Sequence, residues 1–86
     1  MSDASRVRRL AVSDEGFVFD PATGQSFLLN ATGLVIFHGL QADLSEEDLV
    51  QRVIDEFDVD ADQAAVDVEE FLAHLRGLQI LAAVDS

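Results

Sequence analysis

Two histidines, a run of spaced carboxylates and one Asn-x-Thr triplet are the residues of this 86-residue chain whose types and spacing could do chemistry. A hydrolytic or transfer site would need a serine or threonine hydroxyl set against an imidazole that takes its proton. No motif places one beside His38 or His74. His74 lies between Leu72 and Leu75, at the edge of an apolar helical face, and both histidines read as rim or helix-end residues; no catalysis is expected. The carboxylates Asp58, Asp60, Asp62 and Glu69 fall at positions 1, 3, 5 and 12 of a calcium-binding loop. That loop bends at a glycine where this chain has Gln63, and pairs with a second loop through an apolar residue where it has Ala65. Helix capping accounts for the same aspartates, so no metal and no cofactor is expected. With no cysteine there is neither a disulfide framework nor a thiolate metal site. Asn30-Ala31-Thr32 matches a glycosylation acceptor, and Asn30 equally has the side chain of a helix N-cap.

Charge narrows the partners. Seventeen acids stand against five arginines and no lysine, a formal net charge of −12. Arg6, Arg8 and Arg9 lie within the first nine residues, whereas Asp43 to Glu70 holds twelve acids and only Arg52. Such a field keeps the protein soluble, repels phosphate backbones and anionic lipid, and suits a neutral or basic partner. The opening Met-Ser-Asp-Ala-Ser-Arg lacks the apolar core of a signal peptide, and no run of about 18 apolar residues exists. A cytoplasmic location is expected, with no membrane and no nucleic acid among the partners.

The elements that would position these residues begin with a hairpin. Residues 1–5 are expected to be disordered, and 6–84 to form one domain. Arg6 to Val12 reads as a strand, although Val7 is out of phase with Leu10 and Val12. Ser13 to Gly16 is a turn. Phe17 and Phe19 share one face of the next strand and Val18 the other; Phe27 and Leu29 share a face of the third, with Ser26 and Leu28 opposite. Between them Asp20-Pro21-Ala22-Thr23-Gly24 carries its own turn chemistry.

The rest is helical. Leu34, Phe37 and Leu40 recur at helical spacing, broadened by Val35 and Ile36, up to Gly39 and Gln41-Ala42-Asp43. Ser45 and Asp48 can form a capping box, with Leu44 stapled to Leu49. A clean stripe follows in Leu49, Val50, Val53, Ile54 and Phe57. Asp60 or Asp62 can cap a third helix whose face is Ala64, Val68, Phe71, Leu72 and Leu75. Gly77 is placed as a left-handed terminator, and Leu78 to Val84 as a last turn or an extended tail. The expected class is α+β: a winged-helix-like domain, a three-stranded antiparallel sheet followed by three helices.

The last two helices are spaced like a helix-turn-helix. Asp67, Glu69 and Glu70 would meet phosphates there, with only Arg76 at the far end, so DNA binding is disfavoured. A small sheet also leaves an open edge, on which a peptide can add as a strand or a second copy can pair. A monomer or weak homodimer is expected.

The run from Gly16 to Gly33, Gly-Phe-Val-Phe-Asp-Pro-Ala-Thr-Gly-Gln-Ser-Phe-Leu-Leu-Asn-Ala-Thr-Gly, resembles the PqqD family of peptide chaperones of pyrroloquinoline quinone biosynthesis and their relatives. Similarity continues through Leu40, Ser45 to Leu49, Asp58-Val59 and Asp67 to Leu75, covering about residues 14–81. Its most specific piece is the aromatic-x-Leu-Asn-x-Thr-Gly handover from Phe27 to Gly33. Within the family the chain is most similar to small stand-alone members encoded beside an HPr-kinase-related protein. The resemblance implies a RiPP recognition element, which binds the leader segment of a ribosomally made precursor peptide and presents it to a modifying enzyme. It implies that the leader adds along Gln25, Ser26, Phe27, Leu28 and Leu29, against the third helix. Helical periodicity then assigns Val66, Asp67, Glu70, Phe71 and His74 to the peptide side. An acidic docking subunit of a partner enzyme, without peptide binding, is the alternative. The chain departs from the family at Asp43-Leu44, where glycine often precedes the second helix, and at Gln79-Ile80, where Gly-Leu or Gly-Ile often ends the third.

Overall fold

The computed structural model describes residues 7–78, which form three strands and then three helices in chain order. The strands are β1 (Ala11–Val12), β2 (Phe17–Phe19) and β3 (Ser26–Leu28); the helices are α1 (Ala31–Gln41), α2 (Glu46–Phe57) and α3 (Ala61–Gly77). The expected disordered residues 1–5, Arg6, and residues 79–84 of the domain lie outside the described residues, as do Gln79 and Ile80.

The sheet is antiparallel in the order β1-β2-β3, with Val12 opposite Val18 and Val18 opposite Phe27. These three face the helices, and Val18 is fully buried. Phe17, Phe19 and Leu28 stand on the other face and are exposed. The β2–β3 turn closes as its residues require: the Asp20 carboxylate accepts from the Ala22 N–H at 2.9 Å and the Thr23 hydroxyl at 3.0 Å. Gly24 takes φ +78°, a left-handed value at which a Cβ would be strained.

The segment before β1 departs from the strand read over Arg6 to Val12. Val7 and Arg8 are helical, and only Ala11 and Val12 are strand. Val7 and Leu10, three apart, are both buried, and the Leu10 N–H donates to the Val7 carbonyl at 3.2 Å. The phase break at Val7 is thus the mark of a helical turn, since i and i+3 share a face of a helix. Gln41 Nε2 donates to the Val7 and Leu10 carbonyls at 3.2 and 3.1 Å, tying this turn to the end of α1.

All three helices start on side-chain caps. Asn30 accepts from the Gly33 N–H at 2.8 Å, Ser45 from Asp48 at 3.2 Å and Asp60 from Gln63 at 2.8 Å. Each satisfies a backbone donor that has no partner within its helix. Asp43, at φ 63°, and Asp58, at φ 54°, are left-handed. Aspartate tolerates that region better than most residues, which accounts for Asp43 where the family often has glycine. Gly77 is not left-handed: α3 runs through it, and Leu78 keeps a right-handed backbone, its N–H reaching the His74 carbonyl at 3.0 Å. The core gathers Val7, Val18, Ile36, Phe37, Leu49, Val53, Val68 and Leu75, so every element except β1 and β3 gives at least one fully buried side chain. Among the described residues no helix is long and apolar enough to cross a membrane.

Candidate functional site

Two features adjoin where β3 hands over to α1. The first is an open strand edge: among the described residues β3 has a neighbour only on its β2 side. The Asp20 N–H donates to the Gln25 carbonyl, and the Leu29 N–H to the Gly16 carbonyl, both at 2.8 Å. In an antiparallel ladder hydrogen-bonded pairs alternate with unbonded ones. Gln25, Phe27 and Leu29 therefore turn their backbone groups to β2, and Ser26 and Leu28 turn theirs to the open edge. The two N–H and two C=O groups of Ser26 and Leu28, at the spacing of a strand, are enough to seat a short added segment.

The second feature is a cleft of about 300 Å³ between α1 and α3. From the start of α1 it takes Asn30, Thr32, Gly33 and Ile36; from α3 it takes Asp67, Glu70, Phe71 and His74, which recur at spacings of three and four and so lie on one helical face. Its floor depends on Gly33. A Cβ there would stand 2.9 Å from Phe71 Cε1 and 3.2 Å from Asn30 Oδ1. The absence of a side chain lets the Phe71 ring lie against the first turn of α1, where it is half-buried. The rim is acidic. Gln63 Nε2 donates to Asp67 Oδ1 at 2.9 Å, which orients that carboxylate, and Glu70 is exposed beside it.

Of the ten residues assigned to the peptide side, Asp67, Glu70, Phe71 and His74 come together in the cleft, while Val66 is exposed and does not line it. On β3, Gln25, Ser26 and Leu28 are exposed, Phe27 is half-buried on the helix side and Leu29 belongs to the core. The half of the cleft from α1 was not assigned from sequence. Its signal was present in Gly33, a glycine in a helix's first turn, which marks a close approach by another element.

The other candidate chemistry resolves into structure. Asp58 is the left-handed C-cap of α2 and Asp60 the N-cap of α3. Among the described residues no group of three or more histidines and acids is placed to hold a metal ion. His38 is exposed in the last turn of α1, on a different helix from His74.

Two solved structures share this architecture. TbiB1 in complex with the TbiA(beta) leader peptide superposes with a TM-score of 0.76 at 26% identity, over 90% of this chain and 91% of that one. Lasso peptide synthetase B1 complexed with the leader peptide gives 0.67 at 26% identity, over 80% and 82%. No curated protein sequence matches the chain. The family model described as coenzyme PQQ synthesis protein D matches residues 15–81, from the β1–β2 turn to beyond α3, and the chain accordingly belongs to the PqqD family.

Proposed function

We propose that this protein is a non-catalytic adaptor that takes the leader segment of a ribosomally made precursor peptide as a fourth strand on β3 and presents it to a modifying enzyme. The observation that carries this reading is the pairing of an open edge with a cleft: Ser26 and Leu28 offer outward backbone groups, and α3 forms a wall beside the same strand's end. Main-chain bonds on the edge give affinity, and side-chain contacts in the cleft give selectivity. The two solved neighbours, each a complex with a leader peptide, support the same reading.

In this reading His38, in the last turn of α1, and His74, on the cleft face of α3, have no catalytic part. The modifying enzyme, or an HPr-kinase-related partner, would meet the adaptor elsewhere on its surface. We place the protein in the cytoplasm, as a monomer or weak homodimer. Calorimetric titration with the leader segments of precursor peptides encoded near its gene tests the proposal. Saturable one-to-one binding is expected. Absence of heat with every such leader, beside binding of the partner enzyme alone, would replace the adaptor by a docking subunit.

A further inference from the structure

The cleft carries an electrical preference that strand addition alone does not require. Asp67 and Glu70 stand on its rim, and among the described residues neither has a cationic partner. Arg76 is on the same helix, but six residues beyond Glu70, nearly two turns away. Between the two carboxylates and the body of the protein lies an apolar floor, Phe71 against Gly33 with Ile36 beneath. An apolar floor with an uncompensated acidic rim complements a side-chain pair of the same make-up: one large and apolar, one cationic.

Strand geometry sets how far apart that pair stands. Residues of an added strand directly opposite Phe27 share its face and point to the helices, and their neighbours in the same peptide point the other way, over Leu28. Helix-facing residues thus recur every second position, roughly 7 Å apart. Along α3, Asp67 and Phe71 are one turn apart, about 6 Å. The two spacings match for a strand that runs along α3.

Resting on the strand-addition reading, we propose that the peptide this chain prefers carries a lysine or arginine two positions from a large apolar residue. The apolar side chain sits on Phe71 and the cation lies between Asp67 and Glu70. The selectivity is local to the cleft and distinct from the general attraction of a −12 protein for bases.

The test is selection from a phage-displayed random 12-residue peptide library on three baits: the wild-type chain, D67K/E70K in the cleft, and E46K/E47K on α2. The two variants change net charge equally, and circular dichroism checks that each is folded. The wild type and E46K/E47K are expected to enrich a lysine or arginine at two positions from a leucine, isoleucine or aromatic residue, and D67K/E70K to lose that pairing. A synthetic peptide from the enriched set is expected to bind D67K/E70K about fivefold more weakly or worse, the scale of partly screened ion pairs. Enrichment of apolar residues without the spaced base, or the same pattern on all three baits, overturns the proposal while leaving peptide binding intact. No enrichment over uncoated matrix on any bait overturns strand addition itself, and this proposal with it.

Discussion

Replacing Gly33 by alanine probes the joint on which the cleft is built. The new Cβ would stand 2.9 Å from Phe71 Cε1, where ordinary contact begins at 3.4 Å, so the ring must yield by about 0.5 Å. Overpacking of this kind costs about 1–3 kcal/mol. Alanine in place of glycine in a helix returns about 1 kcal/mol of backbone entropy. The net effect on stability is therefore small, a loss of about 0–2 kcal/mol, and the single variant's midpoint in urea discriminates poorly. Coupling discriminates well. In an F71L background the ring edge is gone and only the 3.2 Å approach to Asn30 Oδ1 remains, so G33A is expected to stabilise by up to about 1 kcal/mol, the helix-propensity gain less what that contact costs. The four proteins of the cycle, unfolded in urea with slopes compared, give the coupling energy directly. The ring's escape route is the cleft itself, so G33A alone is also expected to weaken peptide binding. Equal stabilisation by G33A in both backgrounds would refute the idea that Gly33 exists to admit Phe71.

Three further outcomes are expected. N30A removes the cap on α1 and should lower stability by about 1 kcal/mol, read as a shift of the urea midpoint at constant slope. Q41A strips the donor from the Val7 and Leu10 carbonyls, and should cost about 1–2 kcal/mol in the same assay if that helical turn is docked as described. S26P removes an N–H that faces the open edge, so the variant should fold with a near-native circular dichroism spectrum and lose most of its peptide affinity. F27P, by contrast, deletes a bond to β2 and should unfold the hairpin; equal effects from both prolines would overturn the assigned register.

The sheet and helices are legible because their signals are local. The Asp20 to Gly24 turn, the caps at Asn30, Ser45 and Asp60, and the stripe from Leu49 to Phe57 each depend on neighbours within a few residues. The misread stretch, Val7 to Leu10, is short, and its helical turn is fixed by Gln41, more than thirty residues away. Gly77 carried the composition of a terminator, yet Leu78 stays helical and nothing local forces a reversal. Periodicity located the α3 half of the cleft, since Asp67, Glu70, Phe71 and His74 follow helical spacing. It is silent about which other helix such a face meets. The contact of Phe71 with Gly33 joins residues 38 apart in sequence, so Asn30, Thr32 and Ile36 entered the site only once the chain was folded. Phe17, Phe19 and Leu28 illustrate the same limit: alternation pairs Phe17 with Phe19 on one strand and Leu28 with Ser26 on the next, but only the register joins these faces and only the packing of the helices on Val18 leaves them exposed.

The central claim is that β3 receives a peptide strand along its open edge, and an amide-shift titration of the isotope-labelled protein with leader peptides tests it most directly. Saturable shifts concentrated at Gln25 to Leu29 and along α3 from Asp67 to His74, with the Ser26 and Leu28 amides gaining protection from exchange, are the predicted result. Saturable binding whose shifts fall instead on α2, leaving Ser26 and Leu28 unchanged, would contradict it.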